Sequence, residues 1–516
     1  MITYQIYPRS FSDSDGDGIG DLNGITRRLE YIKSLGVDAV WISPFFKSPM
    51  HDFGYDVSDY RAIDPSFGTM QDFHRLLAQC RSLGLKVLLD LVVSHTSDQH
   101  PWFAQSIERK EGKDDWYLWA DPKPDGSPPN NWLSVFGGSA WQWDATRRQY
   151  YFHSFLASQP DLNLHTPAVQ DQILEEIRFW LEQGVSGFRL DACNHYFQDL
   201  QLRDNPPRDD TSAAFQPYGY QVHLYDQGRP EALPFLARIR SLLDEYEAFS
   251  LAEVGGTDAI ALMGDYTAPG RLHSAYSFSL MGSDGSAAHV AKVLERLRAT
   301  IAPPALPCYA FSNHDKPRVA TRWLNGREPV PTAKQLLALL LSMPGHICLY
   351  QGEELGLPQA DVPFERLQDP YGKAFWPRFK GRDGCRTPMP WNSAEHAGFS
   401  TSEPWLPIPE SHLSLAVEEQ EKRLDSTLNT ARHLIRLRRQ NPGLAEGGVS
   451  SLENVGDRVS FLRTAGGQSI WCVYNLGRKE CHVRHAQPGN VLAGQHAHWT
   501  GHSLTLDPSG FCWILR

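Results

Sequence analysis

The chain has no Cys-x-x-Cys pair, no excess of basic residues and no internal repeat. It also lacks any apolar run approaching the roughly 18 residues that a membrane-spanning helix needs. Each absence removes a class of protein. The eight cysteines stand singly, at positions 80, 193, 308, 348, 385, 472, 481 and 512, so zinc binding and dithiol redox chemistry are not expected. Several lie in apolar runs such as His346-Ile-Cys-Leu-Tyr350, where a reduced cysteine packs as a small hydrophobe. A reducing, cytoplasmic compartment is the expectation. The start, Met1-Ile-Thr-Tyr-Gln-Ile-Tyr7, sets no basic stretch ahead of an apolar core, so no signal peptide is expected. A formal charge of −11 argues against a nucleic-acid partner, which is held through clustered Lys and Arg.

What is present describes a soluble globular chain. Hydrophobic residues make up 41% and charged residues 21% of 516, and that length implies two or three domains. Strand-like and helix-like segments alternate, the pattern of a parallel sheet. Strands are expected at 2–7, 37–42, 86–93, 185–190, 248–251, 274–279, 307–311 and 347–350. Helices are expected between them, at 25–35, 70–82, 167–183, 233–246, 286–300 and 333–342, with a last one at 426–439. Eight such units imply a closed (β/α)8 TIM barrel, assigned to residues 1–95 and 166–444. Residues 96–165, rich in Trp, Pro, Gly and Asp, are too long for an ordinary loop and are expected to form an inserted domain. From residue 445 the alternation becomes period two, as in Arg458-Val-Ser-Phe-Leu-Arg463, and 445–516 reads as a sandwich-like antiparallel β domain.

Four segments end an apolar run in polar groups: Asp90-Leu-Val-Val-Ser-His95, Gly187-Phe-Arg-Leu-Asp191, Leu251-Ala-Glu253 and Phe311-Ser-Asn-His-Asp315. In a parallel barrel, catalytic side chains come from the C-terminal ends of several strands. Asp191, Glu253 and Asp315 then supply the acids that glycosidic cleavage needs.

At these segments the chain resembles the α-amylase superfamily, glycoside hydrolase family 13. Gln159-Pro-Asp-Leu-Asn163 and Gly381-Arg-Asp-Gly-Cys-Arg-Thr-Pro-Met-Pro-Trp391 are similar to markers of its oligo-1,6-glucosidase and α-glucosidase branch, most like the bacterial α-glucosidases. The resemblance implies Asp191 as nucleophile, Glu253 as general acid/base and Asp315 as the third acid, which grips the distorted sugar. Arg189, two residues before Asp191 and so on the same strand face, would keep that carboxylate ionised. His95 and His314 would donate to the sugar, and Tyr55 would stack under it. Phe136 and Phe155 would form walls. Asp52 is expected to pair with Arg386 and close the floor of a glucose-sized pocket.

Asp13-Ser-Asp-Gly-Asp-Gly-Ile-Gly-Asp21 matches the first nine positions of an EF-hand loop, although Gly24 stands where the twelfth-position Glu would be. It resembles the calcium or magnesium loop of this branch, with ligands from Asp13, Asp15, Asp17, the Ile19 carbonyl and Asp21. That ion would be structural, and no organic cofactor is implied. In the branch Ala after the nucleophile goes with α-1,4 cleavage, and this chain has Ala192. The reading is therefore a retaining exo-α-glucosidase acting on short oligosaccharides. Its nearest alternative is a transglucosidase or a sucrose or maltose isomerase using the same glycosyl-enzyme. A catalytically silent relative or a carbohydrate-binding scaffold would be expected to lose the acids, which are intact here.

Overall fold

The computed structural model describes residues 1–212, 214–484 and 489–516. Eight parallel strands close into a barrel: β1 (Ile2–Ile6), β2 (Ala39–Ile42), β3 (Lys86–Leu91), β4 (Gly187–Leu190), β5 (Phe249–Val254), β6 (Ser274–Ser277), β7 (Leu306–Ala310) and β8 (His346–Tyr350). Each pairs with its neighbours in sequence, and β1 closes the ring by pairing with both β2 and β8, as in Thr3↔Ala39 and Ile2↔Ile347. The strands begin and end within a few residues of the spans expected from the alternation.

Period two sorts the strand side chains. Trp41, Leu88, Leu251, Tyr276, Cys308 and Cys348 form an apolar plug inside the barrel. Val40, Leu89, Phe188 and Leu190 belong to the larger core under the helices. Asp90 follows Leu88 by two residues and Glu253 follows Leu251 by two, so both acids sit on the inner face, above the plug. Gly187 opens β4 at φ +148°, where an added Cβ would lie 2.0 Å from the Phe249 carbonyl oxygen. Only glycine fits this approach to β5.

The helix expected over 25–35 is two helices, Leu22–Arg27 and Leu29–Leu35, broken at Arg28. Arg28 leaves helical geometry (φ −104°, ψ 5°) and lays its guanidinium over the Trp391 ring at 4.1 Å. The break still buries Ile25, Leu29, Ile32 and Leu35. The helix expected at 333–342 starts a turn earlier, at Pro329, because proline is well placed in a first helical turn.

Between β3 and β4 the insert carries the helix Pro101–Ile107 and a small sheet in which Gln149–Phe152 lies between Trp119–Ala120 and Trp141–Asp144. Its own core is built on Trp132, Trp141 and Phe152. At the C-terminal end six antiparallel strands follow: β9 (Gly448–Val455), β10 (Arg458–Ala465), β11 (Gln468–Asn475), β12 (Cys481–Val483), β13 (Asn490–Thr500) and β14 (Ser503–Leu515). They form one hydrogen-bonded sheet rather than two separate ones. β14 is long enough to pair with β11 through its last residues, with β12 through Leu504–Leu506, and with β13 on its other edge. This sheet covers the helix Pro329–Ser342, whose residues from Gln335 to Ser342 are all buried. The contact is specific: Gln335 Nε2 donates to the carbonyls of Asn475 (2.6 Å) and Gly510 (2.9 Å). Buried Arg463 donates to the carbonyls of Gly447, Leu444 and Ser342.

Candidate active site

A cavity of about 680 Å³ opens over the C-terminal ends of the strands. Beneath it lies Arg189, fully buried on β4. Nη1 donates to Asp191 Oδ1 (2.5 Å) and Asp90 Oδ1 (2.8 Å), and Nη2 lies 2.5 Å from Glu253 Oε1. Trp41 packs its ring 4.8 Å from the guanidinium. Glu253 is also held by the Tyr276 hydroxyl (2.9 Å, to Oε1) and the Ala192 N–H (3.2 Å, to Oε2). The Ala192 bond depends on a left-handed backbone, φ +42°, unusual for a residue with a Cβ and frequent where a site stores strain.

Three carboxylates share one guanidinium, so they cannot all ionise cheaply. Burial pushes Glu253 up to about 7 against the pull of Arg189, with Asp191 and Asp315 adding repulsion. Burial pushes Asp191 upward too, opposed by the same arginine. Asp315 goes the other way. Its burial is outweighed by its basic neighbours, of which Arg382 and Arg386 carry permanent charge, and they hold it well below the usual carboxylate range. Arg386 Nη2 lies 2.9 Å and Arg382 Nη1 3.4 Å from Asp315 Oδ1. Burial holds His314 well below its ordinary value and lowers His95 to about 4, and of the two rings only His95 lines the cavity.

The expected Asp52–Arg386 pair is not formed. Asp52 Oδ1 meets Arg382 Nη2 at 2.6 Å, and Arg386 instead serves Asp315 and the His314 carbonyl (Nε, 2.7 Å). Arg382 is the N-cap and Arg386 the last residue of one helical turn, Asp383–Arg386, so a spacing of four sends both toward the same acid. Arg382 is further fixed by Asp369 (Nη2–Oδ1 2.8 Å). Sequence reading did not single out Arg382 or Asp369. Gln159, within the Gln159–Asn163 motif, also joins the site: its Nε2 lies 3.2 Å from His95 Nε2 and 3.4 Å from Asp52 Oδ2.

Asp52, Tyr55, His95, Phe136, Phe155, Asp191, Glu253 and Asp315 all line the cavity. Arg189, His314 and Arg386 lie beneath it as supports. Tyr55 stacks on His314 with rings parallel and centroids 5.2 Å apart, its hydroxyl 2.5 Å from Nε2 and 3.0 Å from Asp90 Oδ2. Tyr55 and His314 therefore form a unit, wedged against the Asp90–Arg189 pair.

In the acidic loop after β1, ligand-capable oxygens of Asp13, Asp15 and Asp21 lie within 4.8 Å of one another. Asp17 stays outside that group, its Oδ1 accepting the Ile19 N–H at 2.7 Å. Burial, then repulsion from Asp17, Asp21 and Asp13, raises the Asp15 carboxyl. Hard oxygen donors crowded in this way suit Ca2+ or Mg2+.

The family model described as alpha amylase, catalytic domain, matches residues 5–447. A probable alpha-glucosidase of Rhizobium meliloti (strain 1021) is 52% identical over 503 residues, covering 94% of this chain and 91% of that protein. Maltase 1 of Drosophila virilis is 40% identical over 458 residues, covering 85% and 72%. The crystal structure of the alpha-glucosyl transfer enzyme XgtA is similar over 100% of this chain and 98% of its own, with a TM-score of 0.96 and 50% identity.

Proposed function

The chain belongs to the α-amylase catalytic-domain family, and from that premise we propose a retaining, exo-acting α-glucosidase that releases glucose from the non-reducing end of short α-glucosides, α-1,4-linked ones preferred. The observation that carries this is the sharing of Arg189 by Asp191 and Glu253 at the bottom of a cavity whose floor Asp52 and Arg382 close. A closed floor leaves room for one terminal sugar.

Asp191 attacks the anomeric carbon while Arg189 holds its other lone pairs. The glycosidic C–O bond breaks and Glu253 gives its proton to the departing oxygen. Water then attacks the glycosyl-enzyme, the Asp191 ester bond breaks, and Glu253 takes the water's proton. Asp315, kept ionised by Arg382 and Arg386, binds hydroxyls of the distorted ring. Ala192 supports the α-1,4 preference.

A second sugar can replace water at the last step, and the similarity to an alpha-glucosyl transfer enzyme favours carrying transfer as a companion activity. Ca2+ or Mg2+ held by Asp13, Asp15 and Asp21 would brace the loop after β1. Among the described residues no helix is long and apolar enough to cross a membrane, and eight free cysteines support a cytoplasmic site of action.

The test is product stereochemistry over time with maltose, isomaltose, sucrose and trehalose, beside Asp191→Ala. Early α-glucose from maltose, lost in the variant, is expected. Ala192→Val should move preference toward isomaltose by about tenfold, within the roughly 1–3 kcal/mol of one methyl-scale change. Faster isomaltose cleavage by the wild type would overturn the linkage preference alone.

A further inference from the structure

The outer half of the cavity is walled by three segments far apart in sequence. The insert supplies Val135 and Phe136, the excursion after β4 supplies Phe215, and the segment after β8 supplies Tyr371 and Phe379. Their rings meet. Phe215 stacks on Phe379 (centroids 4.9 Å, 24° between planes), and Phe136 and Phe379 pack on Tyr371 at 4.8 and 4.7 Å. One buried amide ties all three together. Gln216 Nε2 donates to the Val135 carbonyl (2.8 Å) and to the Tyr371 hydroxyl (2.6 Å). From Tyr371 the connection reaches the glucose pocket, because Asp369 accepts the Tyr371 N–H (3.1 Å) and also grips Arg382, the partner of Asp52.

We propose that Gln216 is a positioning residue that holds these three segments as the acceptor subsite, and so sets how the glycosyl-enzyme divides between a sugar and water. This assignment rests on the glucosidase reading above. In the transfer branch the acceptor hydroxyl oxygen bonds to the anomeric carbon as the Asp191 ester bond breaks, and its proton passes to Glu253. An acceptor sugar needs a wall on which to lay its apolar ring face. Water needs none. Loosening the wall therefore weakens one branch and leaves the other.

The experiment measures, at high maltose, the ratio of trisaccharide formed to maltose hydrolysed. That ratio does not depend on how much enzyme is active, so lost folding alone does not move it. Gln216→Leu should lower the ratio at least threefold. Tyr371→Phe, which keeps the ring and removes only the hydroxyl, should lower it in the same direction. The double variant should add little beyond Gln216→Leu, since both changes break one shared contact. Hydrogen exchange in Gln216→Leu should rise together in 131–138, 214–222 and 369–381. An unchanged ratio, additive single effects, or faster exchange confined to 214–222 would each overturn the assignment while leaving the glucosidase intact. A wild type that turns over no α-glucoside would overturn both.

Discussion

Glu253 shows how environment assigns a role to a carboxyl group. Burial beside Asp191 pushes it up to about 7, so it still carries a proton near neutrality, as a general acid must. Maltose kcat/KM should therefore fall as pH rises through about 7. The same shift governs stability. The folded state prefers the neutral acid, and that preference is fully present below the unfolded value and lost as pH rises through the folded one. Glu253→Gln, neutral throughout, should thus melt higher than wild type by ~1–3 °C at pH 8 and by less at pH 5. Its maltose turnover should drop by ~10²–10⁴-fold. A variant that gains nothing at pH 8 would mean that attraction to Arg189 outweighs burial. At this scale the sequence was readable where side-chain type and strand position coincide. Arg189 and Asp191, two apart, had to share a face. The partner of Asp52 was not readable, because Arg382 and Arg386 differ only by one helical turn, and which one reaches the floor depends on Asp369, thirteen residues before Arg382 and outside any local periodicity.

Among elements, the barrel strands were legible because they are almost wholly buried and their short, mostly apolar runs alternate with helix-period segments. The outer wall of the site was not, since residues 194–232 and 355–410 fold on one another rather than by local periodicity. The Arg28 break was hidden for a similar reason: its partner, Trp391, is remote in sequence. The acidic loop after β1 occupies a middle position, with its spacing visible but Asp17 turned back onto its own backbone. If that loop holds Ca2+, the ion should stabilise the fold by ~2.7 kcal/mol at a hundredfold excess over its dissociation constant, seen as a rise in Tm that a chelator reverses. Asp15→Asn should abolish the rise with little other cost, because among the described residues its carboxylate accepts one hydrogen bond, a long one from the Asp17 N–H at 3.3 Å. An equal rise in the variant would exclude this loop as the site.

For the whole molecule, the C-terminal sheet is the outer cover of a barrel helix. Removing 448–516 would bare Gln335 and Leu336–Ser342, which this sheet helps bury, and would take away Arg463 and Tyr474, both bonded to that helix. The truncated chain should accumulate in the insoluble fraction. Soluble, maltose-cleaving enzyme would show that the barrel stands alone. The composition shift near 445 revealed this domain, whereas its single continuous sheet follows from the reach of β14, which no local pattern announces. Closure of the barrel between β1 and β8 has a consequence in time. Ile2 pairs with Ile347, and at ~5–20 residues per second the first strand leaves the ribosome roughly 20–70 s before its last partner is made. Through that interval the edge of β1 that β8 will cover is unpaired. β1 is thus among the last strands to be secured although it is made long before β8, and a nascent-chain chaperone has that interval in which to act on it.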